Sequence, residues 1–266
     1  MRSLFRQNAV FLTLSLLLAL SLGLALIYIP KGELHLLLCD RHTHARDIFY
    51  RYYTTLAEWL PYVICVALLL FAKLGEGIFA STAMLLSTLL TQVCKHIVNA
   101  PRPVTWFTEH CPDIQLPLVD GVRMNLWYSF PSGHTTSFFA MTLAVCILLT
   151  ERLSASAVYQ RSGHIAKRSY SVSGLTAIAV QLLLFFAATL GAYSRIYLSQ
   201  HFAMDVFAGL LVGILSTLAS YAIFYRFQDK KMVQLSHFSK KMRGKVHFFA
   251  KKFAHVKKKL YLCTRF

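Results

Sequence analysis

Between two long apolar runs lies a short polar island, Ser194-Arg-Ile-Tyr-Leu-Ser-Gln-His-Phe-Ala-Met-Asp205, which gathers Arg195, His201 and Asp205. The His201–Asp205 spacing puts two side chains one turn apart on the same face of a helix. A carboxylate there holds an imidazole in one tautomer and stabilises it as a cation, giving a nucleophile or base with its orienting group built in. Ionisable groups beside membrane-depth sequence are costly to bury and so point to function. A helix-end His packed on an Asp is the plainer alternative, and this stretch alone does not separate the two.

Two further polar stretches carry candidate chemistry. In Lys95-His-Ile-Val-Asn-Ala-Pro-Arg-Pro103, Pro101 disfavours helix at Ala100. A helix ending there presents Lys95 from its last turns and Arg102 from a loop stiffened by two prolines. Cations suit a helix C-terminus, although ordinary snorkelling Lys and Arg side chains look the same. In Phe130-Pro-Ser-Gly-His134, Ser132 is a natural N-cap and Gly133 allows a ligand close to the backbone. The N–H groups of that helix start form an anion site beside His134. Capping alone accounts for Ser132 but not for His134.

The elements that must position these residues are membrane spans. Hydropathy predicts six, at 9–29, 56–72, 77–98, 135–151, 173–193 and 203–225, the second having the shortest charge-free core. The first reads as a retained anchor rather than a cleaved signal peptide, since no small-residue cleavage site follows it. Pro30 to Thr55 is then an external segment, read as an amphipathic helix on the membrane; its histidines 35, 42 and 44 are taken as exposed loop residues rather than a metal cluster. Tyr50, Tyr52, Tyr53, Trp59 and Tyr62 are expected to form an interfacial aromatic belt. Basic residues at 2, 6, 73, 152, 161, 167 and 168 put both termini and the even-numbered connections in the cytoplasm. All three polar stretches then share the extracytoplasmic face.

Together they bring three cations (Lys95, Arg102, Arg195), a helix N-terminus, two histidines and one carboxylate. Such a set matches a phosphate whose charge is held while the bond to the leaving oxygen breaks. Two histidines allow one to attack phosphorus and the other to protonate the leaving oxygen. No carboxylate cluster joins the histidines, which disfavours a metal site.

Composition agrees with a membrane setting. Of 266 residues, 56% are hydrophobic, and mean hydropathy is +0.51. The formal charge of +17 is uneven: from Arg226 onward 13 basic residues face one acid, Asp229, so +12 lies in that tail. An anionic lipid surface explains this better than nucleic acid. Met242, Val246, Phe249, Phe253, Val256 and Leu260 make one stripe of a basic amphipathic helix there. The six cysteines lack metal-type spacing; Cys39 and Cys111 could pair outside the cytoplasm, and Cys263-Thr-Arg-Phe266 is a poor prenylation box.

Lys95-x6-Arg102-Pro103, Pro131-Ser132-Gly133-His134 and Ser194-Arg195-x5-His201-x3-Asp205 resemble, in order, the three signatures of the type 2 phosphatidic acid phosphatase (PAP2) superfamily. The resemblance covers about half the chain and implies an all-α membrane protein, a six-transmembrane-helix bundle of the PAP2/haloperoxidase type over 1–228; the basic amphipathic tail at 229–266, read from its own residues, departs from that family core. It implies His201 as nucleophile forming a phosphohistidine, Asp205 as its orienter and His134 as general acid. Lys95, Arg102, Arg195, Ser132 and the Gly133 backbone would bind phosphate, without cofactor or divalent metal. It implies hydrolysis of a phosphorylated envelope lipid (undecaprenyl pyrophosphate, lipid A phosphate or phosphatidylglycerol phosphate) in the inner membrane. The alternatives are a lipid phosphotransferase sharing the covalent intermediate, a transporter or a membrane-tethered scaffold. The loop from Val104 to Ser129 is expected to shape the headgroup pocket, with its aromatics Trp106, Trp127 and Tyr128 at the membrane interface, where ordinary interfacial anchoring explains each one equally well. Oligomeric state is not specified.

Overall fold

Apolar runs of span length become helices here, and the polar or proline-bearing stretches between them decide where each one stops. A computed structural model describes residues 2–39, 42–162 and 169–224, which contain helices and no strand. In order these are α1 (Arg2–Gln7), α2 (Ala9–Tyr28), α3 (Lys31–Cys39), α4 (His44–Tyr53), a single 3₁₀ turn (Thr54–Ala57), α5 (Trp59–Ala72), α6 (Leu74–Val98), α7 (Pro103–His110), α8 (Gly133–Ser162), α9 (Ser169–Tyr197) and α10 (Ala203–Phe224).

α2, α6, α8, α9 and α10 belong to stretches long and apolar enough to cross a membrane unaided. The sixth predicted span is different. α5 has 14 residues, about 21 Å of helix against a hydrocarbon core of roughly 30 Å. It reaches span length only with the segment His44–Ala57, from which it bends by 48°. The break falls at Glu58, whose extended backbone stops the 3₁₀ turn and opens α5.

α8 is the hub. Of its most apolar stretch 61% is buried, against 17% for α2 at the periphery. α9 and α6 pack along α8, α5 against α6, and α2 against α9. The core is aromatic and branched aliphatic: Phe11 meets Phe139 and Phe185 edge-on, surrounded by Leu143, Ile147 and Leu210. Hydroxyls on apolar helices donate across interfaces, Thr217 to the Ala140 carbonyl at 3.1 Å and Ser220 to that of Phe79 at 3.1 Å. Gly209 and Gly213 let α10 approach α8 closely: a Cβ at these positions would stand 2.7 Å from the Ser132 carbonyl oxygen and 2.6 Å from that of Thr136.

The segment before α5 departs from expectation. His35 is fully buried, not exposed, with its Nε2 3.4 Å from Ser199 Oγ and its ring against Phe107 and Phe202. His42 bonds Asp47 at 3.0 Å and stacks on Tyr197, and only His44 is solvent-like. The aromatic belt is likewise split. Tyr52 and Trp59 are exposed, whereas Tyr50 packs on Tyr193 and Tyr197, and Tyr53 donates to the Ala187 carbonyl at 2.9 Å while stacking on Phe138. Burying these rings against α9 removes more apolar surface from water than an interfacial position does. No disulfide joins Cys39 and Cys111. The predicted amphipathic tail helix, its anionic-lipid contacts and the terminal Cys263 lie outside the described residues.

Candidate active site

The site forms where four helix ends meet. α6 ends at Val98, two residues before the predicted stop. Asn99 follows in the left-handed region (φ 41), where an asparagine is tolerated, and its N–H bonds the Lys95 carbonyl. α9 closes in a Schellman arrangement: Ser199 N–H bonds the Ile196 carbonyl at 2.9 Å, Gln200 N–H bonds that of Arg195 at 3.0 Å, and Ser199 has φ 49. His201 N–H reaches the same Arg195 carbonyl at 3.1 Å, so the turn that ends α9 also aims the histidine. The N-termini of α8 and α10 enter from the other chain direction. Ser132 caps α8 as expected, accepting from the Thr135 N–H at 3.4 Å, and its own N–H bonds the Asp205 carbonyl at 2.9 Å, which ties the two helix starts together.

His201 is not on the helix with Asp205, contrary to the spacing argument. It sits in the turn before α10, and Asp205 lies in that helix's first turn. The pair still meets, Nδ1 to Oδ2 at 3.4 Å, because Asp205 Oδ2 accepts the Phe202 N–H at 2.9 Å and folds back over the turn. Ser129 joins them. Its hydroxyl donates to Asp205 Oδ2 at 2.5 Å and stands 3.4 Å from His201 Nδ1. With two oxygen acceptors facing it, Nδ1 carries the proton and Nε2 keeps its lone pair. Burial first, then Arg102, Arg195 and Lys95, hold the His201 pKa well below the ordinary histidine value, so the ring is neutral.

Each cation is held by neutral oxygens rather than by a carboxylate. Arg102 Nε bonds the Trp127 carbonyl at 3.0 Å and its Nη1 bonds the Gln200 carbonyl and amide oxygens at 3.2 and 3.0 Å. Arg195 Nη1 donates to Thr54 Oγ1 at 2.6 Å, while its Nε is buried without a partner. Lys95 Nζ bonds the Tyr128 carbonyl. Asp205 lies near enough to act on Lys95 and Arg102 and Glu58 on Arg195, but neither carboxylate bonds them, and the unpaired buried Arg195 Nε–H is a donor suited to an anion. His134 stands close enough to Lys95, Arg102, Arg195 and His201 to interact with each electrostatically. The N–H groups of Gly133 and His134, first in α8, have no intrahelical partner. All eight residues predicted for the site therefore converge. Among the described residues no group of three or more His, Cys, Asp or Glu side chains gathers as a metal site would require.

A profile of the PAP2 superfamily matches residues 76–229, more than half of the chain and all three polar stretches. The chain belongs to the PAP2 superfamily. A lipid A 4'-phosphatase of Porphyromonas gingivalis is 25% identical over 170 residues, 62% of this chain and 61% of that protein. Probable lipid phosphate phosphatase 4 of Arabidopsis thaliana is 28% identical over 166 residues, 59% of this chain and 48% of that protein. The chain thus spans about half to three-fifths of the length of these curated relatives. Two solved structures share the fold. Aquifex aeolicus LpxE is 24% identical with a TM-score of 0.50, covering 71% of this chain and 93% of that one. The first transmembrane PAP2 type phosphatidylglycerolphosphate phosphatase of Bacillus subtilis is 19% identical with a TM-score of 0.54, covering 85% and 100%. With its apolar helices and membrane PAP2 neighbours, the chain is an integral membrane protein.

Several residues of this PAP2 site give no sequence-level signal. Ser129, Gln200 and Thr54 are ordinary polar residues in the sequence, and only the fold brings them to His201, Arg102 and Arg195. The loop from Val104 to Ser129 contributes through its main chain: Leu126, Trp127 and Tyr128 carbonyls receive Arg102 and Lys95. Its aromatics Trp127 and Tyr128 are exposed and do not line the cavity beside the site. That cavity, about 340 Å³, is bounded by Glu58, Trp59, Thr91, Lys95, Gly133 and His134 among others. The non-glycine residues with positive φ among those described, Asn99, Tyr128 and Ser199, all border the site, where such conformations are held by surrounding structure.

Proposed function

We propose that this chain is a membrane phosphatase that hydrolyses a phosphorylated lipid through a phosphohistidine at His201. The observation that carries this reading is the neutral His201 ring, proton-anchored at Nδ1 by Ser129 and Asp205, beside three cations, Lys95, Arg102 and Arg195, whose side-chain hydrogen bonds go to neutral oxygens. Nε2 attacks phosphorus and forms an N–P bond as the P–O bond to the lipid breaks. His134 gives its proton to the leaving oxygen, then takes one from the water that hydrolyses the phosphohistidine. Lys95, Arg102, Arg195 and the α8 N-terminus hold the phosphoryl oxygens as charge develops on them. The relatives named for lipid A and lipid phosphates support a lipid substrate. The basic-residue distribution supports an extracytoplasmic site with both termini cytoplasmic, 1–228 forming the membrane domain and 229–266 resting on anionic lipid.

The test is phosphate release from phosphatidate by purified protein, with rapid quenching in base and mass spectrometry of the trapped protein. A phosphoryl group on His201, and loss of both adduct and turnover in His201→Ala with membrane insertion intact, is the expected result. Turnover surviving in that variant would refute the assignment.

A further inference from the structure

Water that hydrolyses a phosphohistidine attacks phosphorus from the side opposite Nε2, which is the side the lipid oxygen has just left. His134 serves that side, and beside it opens the cavity of about 340 Å³. We infer that this cavity admits the hydrolytic water and that Thr91 is the positioning residue that holds it for attack. The inference rests on the phosphatase reading and adds a residue to its second step.

The cavity grades from open to buried. Glu58, Thr88 and Gln92 line it and are exposed, whereas Thr91 and Thr136 line it and are buried. Polar side chains therefore run from the protein surface to His134, and the space is ample for water.

Thr91 carries a hydroxyl that the fold leaves unused. Helical threonines usually bond the carbonyl one turn back, as Thr82 does here at 2.8 Å. Thr91 is 3% exposed, and its Oγ1 is buried with no partner. A buried hydroxyl in that condition is destabilising until something pairs with it.

Its position supplies the role. Thr91 lies one turn before Lys95 on α6. A Cβ built at Gly133, the first residue of α8, would stand 3.7 Å from Thr91 Cγ2 and 3.9 Å from Lys95 Cε. The side chain thus borders the helix start that holds the phosphoryl oxygens, and a turn about χ1 brings Oγ1 towards it. Three cations and that helix start already donate to the phosphate. What the second step needs is an acceptor for the hydrogen that the water keeps. His134 takes one proton and Thr91 Oγ1 accepts the other O–H, which aims the oxygen lone pair at phosphorus. The O–P bond forms, the N–P bond breaks with its electron pair returning to Nε2, and inorganic phosphate leaves.

The experiment gives phosphatidate to the full chain in detergent and follows diacylglycerol, phosphate and base-trapped phosphohistidine after rapid mixing. In Thr91→Val the adduct should decay roughly tenfold more slowly, about the effect of one lost hydrogen bond. Diacylglycerol should then appear in a burst of one equivalent, and kcat and KM should fall together. Their ratio should stay within about twofold, because it reports only the steps up to diacylglycerol departure. Thr91→Ser, which keeps the hydroxyl, should restore most of the decay rate. Methanol has no second O–H to offer, so in its presence the share of methyl phosphate should rise several-fold in Thr91→Val. Unchanged adduct decay, or a loss of kcat/KM without accumulated adduct, overturns the role of Thr91 and leaves the phosphatase reading standing. Phosphate release by the unaltered protein with no adduct at His201 overturns the phosphohistidine reading and this inference with it.

Discussion

The Ser129 hydroxyl donates a 2.5 Å hydrogen bond to Asp205 Oδ2 and leaves its lone pair facing His201 Nδ1 at 3.4 Å. The carboxylate thus acts on the imidazole both directly and through the serine. Ser129→Ala removes a hydrogen bond to a charged group and one of the two acceptors that fix the tautomer. It should lower kcat by roughly 10- to 100-fold with little change in KM. Asp205→Asn should cost more, roughly 10³- to 10⁴-fold, because an amide can turn its N–H towards Nδ1 and favour the wrong tautomer. Steady-state kinetics on the two variants checks both; equal losses would show that the serine is not the lesser partner.

Arg195 depends on a residue from a distant helix. Thr54 Oγ1 accepts from its Nη1 at 2.6 Å and sets the plane of a buried guanidinium. Thr54→Val keeps the shape and removes the acceptor. KM should rise by roughly tenfold, as for a lost hydrogen bond to a charged group, with membrane insertion unchanged. Inorganic phosphate should inhibit the variant correspondingly less well.

Close packing of α10 on α8 is what ties Asp205 to Ser132. A Cβ at position 209 would lie 2.7 Å from the Ser132 carbonyl oxygen, so Gly209→Ala forces the helix starts apart. Overpacking of this kind costs about 1–3 kcal/mol. The variant should melt several degrees lower and lose tenfold or more in kcat. Gly174→Ala, where nothing lies within 4 Å, should be neutral or slightly stabilising because alanine favours helix. Thermal unfolding in detergent separates the two.

His35 ties stability to pH. Burial first, aided by Lys31, lowers its pKa from 6.5 to about 4 against the opposing pull of Asp205. Between those values the unfolded chain takes up the proton that the folded one refuses. Stability therefore declines as pH falls from about 6.5 towards 4, by about 3 kcal/mol across the window. His201 is lowered in the same direction, so His35→Gln should reduce the acid slope without abolishing it. An unchanged slope in denaturant unfolding across that range would remove His35 from the account.

Much of this protein is local in the chain. Spans are set by length and hydropathy, and α2, α6, α8, α9 and α10 lie within a few residues of their predicted limits, apart from the longer C-terminal end of α8 and N-terminal end of α9. Ser132 at the start of α8 and Pro101 beyond the end of α6 are punctuation that acts within a few residues, and so are readable without a fold. Spacing also named Lys95, Arg102, His134, Arg195, His201 and Asp205, because phosphate chemistry demands those residue types. Tertiary structure alone decided what packs across sequence distance. It turned Tyr50, Tyr53 and His35 inward, placed His201 in a turn rather than on a helix, and recruited Ser129, Thr54 and Gln200 as supports. Hydropathy reports whether a residue can be buried, not which neighbour buries it. A serine's hydrogen-bond partner is a property of the assembled helix ends and of no shorter stretch.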